Sequence, residues 1–241
     1  MKDVVRANFD ASVSAYDAYE RRTGRFTALA RLLHAEMVAH VDGQFESVLD
    51  AGAGTGISTR AFDDHASRTI PLDISREMLR EIDDFPCVQG DFDHLPFADQ
   101  SFDGVAFTAS LFLVPDPAVA VTEAARVLRP GGVVGAVAPL GWVTDDGTDV
   151  FADLDRDSRS PTGADEVQSA LDGEFTVTTG TWRFATTADD LRLFHAIPAM
   201  AARLYPKHSV EERVEKTREL LTSLDGTFEQ QWRWIVGVTD E

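Results

Sequence analysis

The chain has 241 residues, enough to bury a full core as one domain with insertions. Its 41 acidic residues against 22 basic ones give a formal net charge of −19, spread over the whole length; this reads as the solvated surface of a halophilic protein and argues against DNA or RNA as substrate. The single Cys87 excludes an internal disulfide and a multi-cysteine metal site. With no apolar leader and no run of roughly 18 apolar residues, the sequence predicts a cytoplasmic protein that holds no metal and enters no membrane. Residues 1–45 read as two amphipathic helices. Phe9, Val13, Tyr16 and Tyr19 recur at helical spacing on the first, and Phe26, Leu29, Ala30, Leu33, Met37 and Val41 on the second.

The next stretch, Ser47-Val48-Leu49-Asp50-Ala51-Gly52-Ala53-Gly54-Thr55-Gly56, is a short buried strand running into glycines spaced two apart. Gly52, Gly54 and Gly56 permit positive φ and let backbone N–H groups approach a ligand before a helix begins near Ile57. A tight strand-to-helix turn needs the same residues, so the glycines alone leave that structural reading open. Their spacing narrows the ligand. The dinucleotide pattern G-x-G-x-x-G requires a third glycine at position 57, which is Ile, and no Gly-Lys-Ser/Thr follows for a phosphate-cradling loop. An oxidoreductase built on a nicotinamide dinucleotide is therefore the weaker alternative.

Asp50-Ala51-Gly52-Ala53-Gly54-Thr55-Gly56 resembles the first motif of class I S-adenosylmethionine-dependent methyltransferases, of the small-molecule, type 11-like kind. The resemblance implies that this loop holds the methionine end of S-adenosylmethionine and that Asp50 reaches its amino group. The segment Phe9 to Asp17 is similar to the N-terminal lid of small-molecule methyltransferases of the biotin and quinone pathway type. There, Tyr16 would cover the cofactor, its ring facing the sulfonium charge.

A helix over 57–65 leads to a second strand, 68–73, ending in Asp73. An acid about 20 residues beyond the glycines, at a strand tip, is placed to accept both ribose hydroxyls. Helix capping is its structural alternative, but Ser75 can cap the helix of 76–84. Pro71 inside this strand implies weakened pairing. By the family pattern Asp-x-Ser-x-x-Met-Leu, Ile74 and Met78 line the adenosine pocket. A short third strand, Cys87 to Gln89, enters Gly90-Asp91-Phe92-Asp93, which resembles the family's adenine loop. Asp91 would accept from the exocyclic amine and Phe92 would cover the ring. Phe102 to Phe107 reads as the fourth strand, Asp116-Pro117 opens a helix, and Arg126 to Gly132 matches the family's turn before a fifth strand over 133–137.

The loop after the fourth strand starts at Thr108, near the expected methyl group, and Thr108 joins the cofactor set. Many relatives carry a histidine before Val-Pro-Asp, whereas Phe112 and Leu113 stand here, so no general base is assigned. Beyond residue 138 the family pattern loosens. An aspartate-rich loop, 141–165, precedes a short helix to Leu171 and a sixth strand, 175–182. Capping boxes at Thr187 to Asp190 and Ser209 to Glu212 open helices to about Leu204, kinked at Pro198, and to about Leu224. Arg183, His195, Arg203, Tyr205 and His208 are the polar and aromatic candidates for an acceptor site, each with a packing or surface alternative. Trp232 and Trp234 alternate on a last strand, 231–238.

The sequence thus predicts a single α/β domain, with an N-terminal helical lid (1–45), a cofactor-binding core (46–140), substrate-side insertions and a helical cap (141–225) and a final strand (226–241). The sheet is Rossmann-like and seven-stranded, mostly parallel with the last strand antiparallel, and has helices on both faces. The implied activity is methyl transfer from S-adenosylmethionine to a small-molecule acceptor, on oxygen or carbon. A non-catalytic S-adenosylmethionine-binding or interaction protein on the same fold is the alternative, and the oligomeric state is not legible.

Overall fold

The computed structural model describes residues 2–41, 43–152, 154 and 163–239. In chain order, α1 (Lys2–Asp10), α2 (Val13–Thr23) and α3 (Arg25–Val38) precede β1 (Val48–Ala51), α4 (Ile57–Asp63), β2 (Thr69–Asp73), α5 (Arg76–Leu79), β3 (Val88–Gln89) and β4 (Phe102–Phe107). A 3-10 turn over Leu111–Leu113 follows, then α6 (Pro117–Val127), β5 (Leu128–Val143), α7 (Ala164–Asp172), β6 (Thr176–Thr187), α8 (Ala188–His195), α9 (Pro198–Leu204), α10 (Val210–Leu220) and β7 (Thr227–Val238).

The chain divides into two compact units. The sheet unit takes Phe26–Pro139, Thr162–Thr181 and Arg233–Glu241; the helical unit takes Met1–Arg25, Leu140–Pro161 and Trp182–Trp232. The sheet has seven strands in the order β3-β2-β1-β4-β5-β7-β6, mostly parallel with the last strand antiparallel, as the sequence predicted. β2 and β3 lie to one side of β1 and β4 and β5 to the other, so the strand order reverses between β1 and β4. In open parallel sheets, ligands bind beyond the carboxyl ends of the strands at such a reversal.

β1 is buried at every position, which is why Val48-Leu49-Asp50-Ala51 carries no alternation. α3 packs so closely on β5 that a methyl group at Gly135 would sit 2.5 Å from Met37 Sδ. The second-helix residues Phe26, Leu29, Ala30, Leu33 and Met37 are all core, and truncating Met37 to Ala would cost about 2–5 kcal/mol. The predicted turn at Arg126 to Gly132 is a bulge: pairing jumps from Phe102↔Leu128 to Gly104↔Val133.

Pro71 keeps its place in β2 because of where its missing N–H would point. Leu72 O accepts from Gly52 on the β1 side (2.8 Å) and Asp73 O from Gly90 on the β3 side (3.0 Å). By alternation the nitrogen of Pro71 faces β3, which pairs only with Leu72 and Asp73, so at Pro71 no ladder bond is lost.

Several predicted bounds are corrected. The first predicted helix is two, broken at Ala11-Ser12: the Ser12 side chain turns back to donate to Asn8 O (2.6 Å) and accepts from the Ala199 N–H (3.1 Å). The helix predicted over 76–84 stops at Leu79, where the chain tightens into i→i+3 bonds (Glu81 to Met78, Ile82 to Leu79) ahead of Pro86. Pro198 separates α8 from α9 rather than kinking one helix, with Ile197 extended between them. β6 and β7 are longer than predicted, at twelve residues each. Both capping boxes form: Thr187 accepts from the Asp190 N–H and Ser209 from that of Glu212. Trp232 is fully buried, and Trp234 on β7 covers Gly180 on the neighbouring β6. Part of the predicted aspartate-rich loop, 155–162, lies outside the described residues.

Candidate functional site

All but one of the predicted cofactor residues belong to the sheet unit, and they follow the carboxyl ends of β1, β2, β3 and β4. The glycine loop is held by its neighbours. Gly52 and Ala53 donate to Leu72 O (2.8 and 3.1 Å), Gly54 donates to Asp73 Oδ2 (2.9 Å), and Gly56 donates to Ala53 O (2.9 Å) before α4 begins. The three glycines have φ of 85°, 53° and 83°. At Gly52 the need is also steric, since a Cβ would lie 2.4 Å from Ser110 Cβ and 3.1 Å from Phe92 Cζ. At Gly54 nothing lies within 4 Å of where a Cβ would stand, so this residue presents bare backbone to open space.

Asp73 caps the loop from below. Its Oδ2 accepts from Gly54 and its Oδ1 from the Ser75 N–H (2.8 Å), which fixes the carboxylate at the tip of β2. Ser75 performs the helix capping itself, accepting from the Met78 N–H at 3.1 Å. The capping alternative for Asp73 is thereby filled by another residue.

Asp50 is fully buried, and its Oδ2 accepts from the Ser58 and Thr59 hydroxyls, each at 2.7 Å. Burial pushes its carboxyl up to about 6; the two hydroxyls oppose the shift and the nearby Asp73 charge adds to it. Asp50 Oδ1, Thr55 Oγ1 and Thr108 Oγ1 are buried and have no hydrogen-bond partner among the described residues. Three unsatisfied polar atoms on one loop and two adjacent strand ends are costly without a ligand. An open backbone cradle, a fixed carboxylate beside it and a second carboxylate short of a donor fit a ligand that brings hydroxyl and ammonium groups.

Asp91 and Phe92 are half-buried on the loop after β3. Asp91 Oδ1 accepts from the Asp93 N–H (3.1 Å), and Phe92 meets Phe107 edge to face with centroids 5.3 Å apart. Ile74 is half-buried, and Met78, on α5, is 1% exposed. Beyond β4, Ala109 adopts φ 55°, a strained conformation for a residue with a Cβ, and Ser110 Oγ donates to Ala51 O at 2.7 Å. Leu111 and Phe112 are buried in the turn that follows. Tyr16 lies on α2 in the helical unit, half-buried.

Sequence reasoning missed Ser110, Thr55, Ser58 and Thr59. The last two had a signal: small hydroxyl residues on the first turn of the helix after the loop face back to the strand that precedes it.

The acceptor-site candidates of the helical unit have local partners. His195 Nδ1 lies 3.0 Å from Leu191 O, with the Trp142, Phe151 and Phe194 rings 4.9–5.7 Å from its own. His208 faces Glu212 at 3.9 Å, Arg183 faces Glu229 at 3.7 Å, and Tyr205 is covered by the Lys216 ammonium at 5.5 Å. Burial pushes the Arg203 guanidinium down to about 10. Among the described residues no group of His, Cys, Asp and Glu is placed to hold a metal ion, and no helix is long and apolar enough to cross a membrane.

The fold is similar to that of solved methyltransferases. The 1,6-didemethyltoxoflavin-N1-methyltransferase of Burkholderia thailandensis, solved with 1,6-didemethyltoxoflavin and S-adenosylhomocysteine, matches this fold with a TM-score of 0.56 at 18% identity, over 99% of this chain and 88% of that one. At the level of sequence, residues 49–135, from β1 into β5, match the family described as a methyltransferase domain. The demethylmenaquinone methyltransferase of Renibacterium salmoninarum is 38% identical over 136 residues, 54% of this chain and 56% of that protein. The malonyl-[acyl-carrier protein] O-methyltransferase of Dechloromonas aromatica is 44% identical over 117 residues, 45% of this chain and 42% of that protein. The chain thus spans about half the length of these curated relatives.

Proposed function

We propose that this chain is an enzyme that transfers a methyl group from S-adenosylmethionine to a small molecule, releasing S-adenosylhomocysteine. The observation that carries the reading is the glycine loop at the sheet reversal, with Gly54 open and Asp50 Oδ1, Thr55 Oγ1 and Thr108 Oγ1 unsatisfied around it. Asp50 accepts from the cofactor's ammonium, Asp73 from the ribose hydroxyls and Asp91 from the adenine amine. Phe92, Ile74 and Met78 cover the adenosine, while Gly52, Gly54, Gly56 and Thr108 hold the methionine end. Tyr16 joins this set through the likeness of its segment to methyltransferase lids.

Bound S-adenosylmethionine supplies a methyl group already activated by a positive sulfur. The protein's contribution is then positioning and the exclusion of water, which the buried Leu111 and Phe112 beside the strained Ala109 serve without a histidine base. Those apolar residues favour an oxygen or carbon acceptor on a mostly apolar compound. Of the relatives' names, demethylmenaquinone methyltransferase lies in that class, and malonyl-[acyl-carrier protein] O-methyltransferase shares only the oxygen acceptor. The acid excess supports a halophilic host, and no helix among the described residues is long and apolar enough to cross a membrane, which accords with a cytoplasmic place.

The test is calorimetric titration in high salt with S-adenosylmethionine and S-adenosylhomocysteine, beside Asp73→Ala. The expected result is binding by the wild type, weakened by about a hundredfold in the variant, because a charged acceptor of two hydroxyls is worth about 3 kcal/mol. A wild type that binds neither overturns the proposal. Binding with no methyl transfer to any component of a metabolite extract leaves the non-catalytic alternative in its place.

A further inference from the structure

The residues assigned to adenine, Asp91 and Phe92, stand on a segment between β3 and β4 that has almost no ladder of its own. Its one bridge pairs Asp91 with His94. A hydrogen-bonding site on such a segment discriminates only if something else fixes it. On the near side Gly90 donates to Asp73 O (3.0 Å), and His94 closes a turn onto Asp91 O (3.1 Å).

The far side is fixed by two residues of α6. Arg126 Nε donates to Glu123 Oε1 and Nη2 to Glu123 Oε2, both at 2.8 Å, a two-pronged ion pair on one helix face. Nη2 also donates to Leu95 O (3.0 Å), and Nη1 donates to Phe97 O (2.9 Å) and Asp99 Oδ1 (2.8 Å). A guanidinium has five N–H donors, and here each has an acceptor. Glu123 Oε2 in turn accepts from the Leu95 N–H at 2.8 Å, so the pair grips both polar groups of one loop peptide position. Leu95 itself is 4% exposed. The Arg126 contacts hold the Glu123 carboxyl below the usual range, so the pair stays ionised.

We propose that Glu123 and Arg126 are positioning residues that hold the Asp91–Phe92 segment for adenine recognition, so that the adenine preference of the cofactor site depends on a helix that carries none of the residues assigned to the cofactor. The inference rests on the methyl-transfer reading above. It follows from the hydrogen bonds in the loop: Asp91 and Phe92 lie between two anchored points, Gly90 and Leu95, and only the second anchor is made by side chains. Lysine cannot replace Arg126, because a compact ammonium with three donors cannot serve two backbone carbonyls and two carboxylates at once.

The experiment compares binding of S-adenosylhomocysteine with S-inosylhomocysteine, in which the exocyclic amine is replaced by a carbonyl, to wild type, Arg126→Lys and Glu123→Gln. The wild type is expected to prefer the adenine compound. In both variants the affinity for it falls about tenfold while that for the inosine compound falls less than about twofold, so the preference shrinks. An unchanged preference in the variants, whether both affinities drop together or neither does, overturns the proposal while leaving the methyl-transfer reading intact. A wild type that binds neither compound overturns both. Hydrogen exchange of the wild-type Leu95 amide gives a readout that no variant has to fold to provide: strong protection supports the clamp, and exchange at an open-loop rate removes it.

Discussion

The glycine loop from β1 to α4, with the carboxylates and hydroxyls around it, and the arginines on the helices from α8 to α10 use hydrogen bonds in opposite ways. In the helical unit the cations complete the backbone. Arg192 donates from Nε to Leu221 O (3.0 Å) and also serves Thr222 O and Leu224 O, closing the carboxyl end of α10, while Arg213 caps His208 O and reaches Asn8 Oδ1 at 2.7 Å. In the glycine loop Gly52 and Ala53 donate to Leu72 O and Gly54 to Asp73, while Asp50 Oδ1, Thr55 Oγ1 and Thr108 Oγ1 in and beside it are left over. Arginines whose donors close backbone carbonyls hold a fold; three unsatisfied atoms on one loop and the two strand ends beside it suit a ligand, although Thr217 Oγ1 on α10 is also buried without a partner among the described residues.

The sharpest way to break that contrast is a pair of glycine substitutions within the loop. Gly52→Ala forces a Cβ to 2.4 Å from Ser110 Cβ at φ 85°, so it should destabilise the protein by about 3 kcal/mol or more in urea melts. Gly54→Ala meets open space and pays only for φ 53°, about 1 kcal/mol, yet it fills the cradle and should lower S-adenosylhomocysteine affinity on the order of a hundredfold. An S-adenosylhomocysteine affinity left unchanged in Gly54→Ala would show that the open space there is not a ligand's place.

The same contrast explains what could be read from the sequence. The glycine loop was legible because each demand there is local: positive φ, a strand tip, a carboxylate at a fixed spacing. Asp73 and Ser75 follow from spacing in the same way, whereas Phe92 was read only through the resemblance of its segment to the family's adenine loop. The break at Ser12 was not, because the partner that stabilises it is the N–H of Ala199, 187 positions away. Arg126 looked like part of a turn because its carbonyl partners lie 29 and 31 residues back in an irregular segment. Pro71 looked like a fault until the short reach of β3 removed the bond it would have broken. For the acceptor candidates His195 and His208, residue type alone gave no means of telling a ligand from the carbonyl and carboxylate neighbours they have.

Asp50 provides a test of intermediate size. Its carboxyl ionises near 3.8 when unfolded and at about 6 when folded, so the folded state binds the extra proton between those values. Stability then falls as pH rises through this window, by about 3 kcal/mol in all, and the loss is complete above about 6. Asp50→Asn cannot ionise, so the difference in unfolding free energy between variant and wild type should grow in the variant's favour from pH 4 to pH 7 and then level off. The ammonium of S-adenosylmethionine should reverse the sign for function: wild-type affinity rises with pH through about 6, while the variant's is lower and flat across the same range. A stability difference that does not change with pH would mean that the charge on Asp50 is not what its burial strains.

The smallest effects belong to the helical unit and separate its two kinds of arginine. Arg192→Ala frees three carbonyls at the end of α10 and should cost about 1–2 kcal/mol in stability with no change in S-adenosylhomocysteine affinity, since what it satisfies is backbone. Arg183→Ala removes an ion pair at 3.7 Å whose side chains are 64% and 37% exposed, and solvent screening holds its effect within about 0.5 kcal/mol. If Arg183→Ala instead left stability untouched but raised the KM for a methyl acceptor, the arginine would belong with the unsatisfied groups of the glycine loop rather than with Arg192.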